Sequence, residues 1–158
     1  MLFLGFEMKA SMSRRQIWFY STLITTIGVI LLLVTGSSIL TLSLDSDGLL
    51  PLGTLITWVG FITLLLAVFW GNNGLRHPKG KFKEFISRSF KVIFLLAVLW
   101  APLAYLLAGN LSFTFSERET FQGGQLAMKL FWNLSYGIAI AALLIQILLW
   151  LSHLFKRP

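Results

Sequence analysis

The chain reads as an all-α membrane protein of four transmembrane helices, arranged as two hairpins in an antiparallel bundle with a short amphipathic helix on the cytoplasmic surface. Three observations predict this. Four long apolar stretches contain no Asp, Glu, Lys, Arg or Cys in their interiors. Only 12% of the 158 residues are charged, against roughly a quarter in soluble domains. The charges that exist flank the apolar stretches instead of interrupting them, which marks bilayer as the solvent.

The first span is expected at about 17–40, behind a basic lead of Lys9, Arg14 and Arg15. Its length and the lack of a small-residue cleavage site argue for a retained helix and not a removable signal peptide. Met1, Met8 and Met12 leave the start codon open. A turn at Asp45-Ser46-Asp47-Gly48 precedes the second span, about 53–70, which Pro51 and Gly53 open. Gly71-Asn72-Asn73-Gly74 ends it.

The longest basic region follows, from Arg76 to Lys91. Within it Phe82, Phe85, Ile86 and Phe90 recur at helical spacing among charged neighbours. That pattern predicts a short helix on a headgroup surface, with Lys79, Lys81, Lys83, Arg88 and Lys91 facing anionic lipid. The third span is expected at about 92–108. Pro102 within it should kink the helix and free a backbone carbonyl for a neighbouring helix or a water. The fourth covers about 130–155.

Eleven of the thirteen Lys and Arg residues lie in the N-terminal arm, the middle loop and the tail, leaving Arg118 and Lys129 on the other face. The positive-inside rule then puts both termini in the cytoplasm, and the sparse loops suit a bacterial inner membrane. Trp58, Trp70, Trp100, Trp132, Trp150 and Tyr20 fall mostly near span ends, where they are expected to act as interfacial anchors.

Helices in lipid approach closely where side chains are small. At steps of four and three residues the first span offers Ser21, Thr25, Gly28, Leu32 and Thr35. The second offers Gly53, Thr57, Gly60, Leu64, Ala67 and Gly71; the third Ala97, Ala101, Ala104 and Ala108; the fourth Ser135, Ala139, Ala142 and Gln146. This spacing fits a left-handed bundle.

Chemistry has few candidates. No ionisable group sits at membrane depth, no catalytic motif is present, and without cysteine there is no thiolate chemistry or disulfide. His77 and His153 alone make a poor metal site, so no cofactor is expected. Gln146 shares a face with Ser135 and His153 and should hydrogen-bond to another helix, or else line a small polar path. Asn133, Ser135 and Tyr136 form a polar patch that Tyr105 could reach. In the outer segment, Phe113, Phe115, Glu117, Arg118, Glu119 and Phe121 offer a surface for the interface or a partner, with Ser116 and Glu119 spaced as a capping box.

These features predict a non-catalytic membrane subunit or interaction protein that binds other membrane chains or copies of itself. A small oligomeric channel or transporter with an uncharged polar path is the alternative, and an enzyme at the outer face comes third. The partners expected are lipid and membrane protein; the basic region, shared with three phenylalanines, does not suit nucleic acid.

Overall fold

The computed structural model describes residues 12–46, 50–111 and 123–154, which form helices and connecting turns. The first helix, α1, spans Arg14–Thr35. It starts three residues before the expected span because Ser13 and Gln16 form a reciprocal capping box: Gln16 N–H donates to Ser13 Oγ (3.3 Å), and Ser13 N–H donates to Gln16 Oε1 (2.9 Å). It also ends early. Gly36 takes the left-handed conformation (φ 60°), and the N–H groups of Gly36 and Ser37 close back onto Leu33 and Leu32, so the chain leaves the helix into a short 3-10 turn at Ser38–Thr41.

Helix α2 spans Leu52–Gly71, and α3 is a single turn at Asn73–Arg76. The hydroxyl of Ser87 donates to the Leu75 carbonyl (3.0 Å) and ties α3 to the next helix. Helix α4 runs Lys81–Val98, α5 runs Trp100–Ala108, and α6 runs Gly124–Leu154.

The basic segment and the start of the third apolar stretch are thus one continuous helix, where a separate surface helix was expected. Its first turns are bipartite: Ile86, Ser87 and Phe90 are buried, whereas Phe82 and Phe85 are exposed beside Lys81, Glu84 and Arg88. Helices α4 and α5 meet at Leu99 with a bend of 52°. Pro102 explains the break, since it has no N–H for the Val98 carbonyl and its ring crowds that carbonyl.

Three helices, α1, α2 and α6, are long and apolar enough to cross a membrane, and α4 with α5 makes a fourth if the bent pair is one span. Successive long elements run in alternating directions. Val29 meets Gly60 while Phe19 meets Gly71; Trp58 meets Ala97 while Phe69 meets Phe90; and the Asn110 end of α5 leads into the start of α6, where Gly123 N–H reaches Leu107.

The main core joins α2 to α6: Leu65, Val68, Leu75, Ile86, Phe90, Ala97, Trp100, Ala101, Ala104, Ala108, Phe131, Ile138, Ala142, Ile145 and Leu149. Helix α1 contributes nothing to that cluster and lies along α2. The α2 helix therefore packs against α1 along one line and against the α4–α6 core along another.

Packing on α1 departs from the expected stripe by one residue. Thr22, Thr26 and Val29 are buried, whereas Ser21, Thr25, Gly28 and Thr35 are exposed, and nothing lies within 4 Å of the position a Cβ on Gly28 would take. The reason is large-on-small packing. A Cβ on Gly60 would stand 2.6 Å from Val29 Cγ1, so Gly60 is the hole for the Val29 knob. Of the other stripes, Gly53, Gly60, Ala67, Ala97, Ala101, Ala104, Ala108 and Ala142 are buried, Thr57 and Ala139 are partly buried, and Gly71 is exposed at its helix end.

Candidate functional site

Because α1 and α6 both pack on α2 from neighbouring directions, a groove runs between them along the length of the bundle. Three adjoining cavities make it up, of about 340, 240 and 550 Å³ from the α3 end to the α5 end. Leu64 and Thr57, with Gly60 and Phe61, form its α2 floor; Thr26, Val29 and Leu33 form one wall, and Ala139, Ala142 and Leu143 the other.

The hydroxyls of Thr26 and Ser135 and the Asn72 amide along this groove are engaged by the protein itself. In the middle, Thr26 Oγ1 lies 3.1 Å from Thr63 Oγ1, and each hydroxyl also reaches a carbonyl of its own helix, Thr22 and Val59. At the α3 end, Asn72 Nδ2 donates both to Gln146 Oε1 (2.7 Å) and to the Val68 carbonyl (2.7 Å). Gln146, itself exposed on α6, therefore finds the interhelical amide partner expected of it, in a segment read from sequence only as a helix breaker.

At the α5 end, Ser135 is buried, accepts from Trp100 Nε1 (2.8 Å) and donates to the Phe131 carbonyl (2.9 Å). Trp100, and not Tyr105, is the third-span residue that reaches it; Tyr105 and Asn133 are exposed, and Tyr136 stacks on Trp132 with ring centroids 5.5 Å apart. Trp58 Nε1 donates to the carbonyls of Ala97 (3.0 Å) and Val98 (3.1 Å), the break that Pro102 creates.

Trp58 and Trp100 are the functional groups that sequence reasoning missed. Both were expected to anchor the protein at an interface, yet Trp100 is only 2% exposed and both indoles join helices inside the bundle. The available signal was Pro102, whose freed carbonyl required a donor somewhere on an adjacent helix.

Of the basic residues, Lys79, Lys81 and Lys83 line a cleft of about 470 Å³ with His77, Gly74 and Ser152; Arg88 and Lys91 are exposed farther along α4. Lys129 is exposed near the start of α6. Phe113, Phe115, Glu117, Arg118, Glu119 and Phe121 lie outside the described residues, as does the side chain of His153. Among the described residues no group of three His, Cys, Asp or Glu side chains could hold a metal ion.

The arrangement is chemically suited to holding helices, and to holding something long and apolar in the groove, because its middle is lined mainly by apolar side chains and its threonine hydroxyls bond within the protein. Comparisons with protein-family models, with curated proteins and with solved structures find no match to this chain.

Proposed function

We propose that this chain is a non-catalytic integral membrane protein that packs against other membrane chains or further copies of itself. In this reading it crosses the bilayer four times as two hairpins, with both termini and the Arg76–Lys91 region on the cytoplasmic side. Phe82 and Phe85 enter the interface there, and the lysines beside them meet anionic headgroups.

The observation that carries the reading is the outward stripe of small residues on α1. Ser21, Thr25 and Gly28 are exposed on the flank of the face that α1 packs on α2, with open space beside Gly28. The Thr25 hydroxyl donates to the Ser21 carbonyl (2.9 Å), so on this shallow surface that hydroxyl is engaged within its own helix. Lipid gives helices no hydrophobic reason to associate, and such a surface lets a second backbone come close enough for van der Waals packing. The engaged Trp58, Trp100, Asn72 and Ser135 groups support a structural role over a solute path.

Cysteine cross-linking tests this directly, because the natural chain has none. Gly28→Cys should cross-link in membranes to a second copy or to a co-purifying chain, and Ile27→Cys, about a quarter-turn around the helix, should do so far less. Equal behaviour of the two positions, with the protein monomeric and alone in mild detergent, would sink the proposal.

A further inference from the structure

At the α3 end the α1–α6 groove opens into a further cavity of about 330 Å³, with which it shares Phe19 and Gly71. Ser13, Arg15, Gln16, Tyr20 and Trp70 complete its lining. Arg15 lines this cavity, and Arg76 stands on α3, the turn that follows α2 just beyond Trp70 and Gly71. The guanidinium of Arg76 is held below its ordinary pKa, first by burial and next by the charge of Arg15.

Neither arginine has an acidic partner among the described residues. Arg15 Nε donates to the Trp70 carbonyl (3.3 Å), and an Arg76 Nη donates to Asn73 Oδ1 (3.3 Å), both neutral acceptors. Arg76 Nε is buried with no acceptor. The first turn of α1 also carries no acid, so the positive end of that helix adds to the same field. Two like charges and an unused buried donor are costly unless an anion joins them, and guanidinium groups match phosphate oxygens in geometry.

We propose that Arg15 and Arg76 bind the phosphate of an anionic phospholipid, with one of its acyl chains lying in the groove between α1 and α6. The groove is largely apolar and its α3 end adjoins the cavity that Arg15 lines, so one molecule with a phosphate head and a hydrocarbon tail matches both. The Trp18 and Trp70 rings, stacked with centroids 6.5 Å apart, sit at the same end, the level at which aromatic side chains meet headgroups. This site is separate from the lysine cleft and from the outward stripe on α1, and it stands whether or not the protein has a protein partner.

The test is native mass spectrometry of the full chain after exposure to equal amounts of phosphatidylglycerol and phosphatidylcholine. The wild-type protein should retain phosphatidylglycerol preferentially. Arg15→Gln and Arg76→Gln should each weaken retention about fivefold, the effect of one basic residue at an anionic surface. Lys129→Gln, at a residue exposed at the far end of the bundle, should leave the retained lipid in place. Leu143→Trp, which fills the groove, should reduce retention with both arginines intact.

Equal retention of the two lipids by the wild type overturns the proposal, and this comparison needs no variant to fold. So does unchanged retention in a double arginine variant with wild-type circular dichroism. Displacement of the lipid by glycerol phosphate or inorganic phosphate at similar concentration would assign the site to a free anion and overturn it equally.

Discussion

The indole Nε1 of Trp58 donates to the carbonyl of Val98, the carbonyl that Pro102 leaves without its helical donor. A defect in one helix is thus repaired by a side chain of another, and the bend at Leu99 and the packing of α2 become one feature. In hydrocarbon no water stands ready to take the donor's place.

Trp58→Phe should therefore destabilise the fold by about 1 kcal/mol, the scale of an interhelical hydrogen bond in a membrane protein. Unfolding by a denaturing detergent measures it. Pro102→Ala restores an N–H for Val98, so Trp58→Phe should cost less in that background. A cycle in which the two substitutions are simply additive would show that Trp58 does not serve the Pro102 break.

The kink at Pro102 and the need of Gln146 for a partner were legible in the sequence because each follows from one residue's own chemistry. The packed face of α1 was not. A stripe of Ser21, Thr25 and Gly28 satisfies a small-residue pattern, but the fold uses Val29 against Gly60, a fit between unlike sizes that no single helix displays. Trp100 misled for a related reason: by sequence it groups with the span-end tryptophans, and only its hydrogen bond to Ser135 on another helix shows it inside the bundle. Arg15 and Arg76 escaped notice as a set since they are 61 positions apart and come to one end of the bundle only when α1 lies along α2.

Gly60→Leu should force α1 away from α2, since even a Cβ there would stand 2.6 Å from Val29 Cγ1. A loss of about 1–3 kcal/mol is expected for such overpacking. Gly28→Leu meets open space and should leave the unfolding midpoint of the isolated chain unchanged. Its effect should appear instead as weaker association, so the two glycines separate internal packing from docking.

Sidedness can be read by a membrane-impermeant thiol reagent, again because no natural cysteine interferes. Single cysteines at Ser13 and Lys81 should label from the same face and one at Lys129 from the opposite face. Both exposed ends of the bundle are accessible without unfolding. Labelling of Ser13→Cys and Lys81→Cys from different faces would mean that α1 and α2 do not cross as a hairpin.

Gln146→Leu separates a packing role from a solute path. The amide of Gln146 accepts from Asn72 Nδ2, and Asn72 keeps the Val68 carbonyl as a second acceptor when Gln146 is removed. The substitution should therefore cost about 0.6 kcal/mol, the average for such bonds in membrane proteins, and should not alter ion or solute flux in liposomes. A path lined by Gln146 would behave differently: replacing an amide with an isobutyl group removes a ligand for water or ions, so flux would change while stability held. Measuring both quantities on the same preparation decides whether the Asn72–Gln146 pair is a clasp between α2 and α6 or part of a conduit.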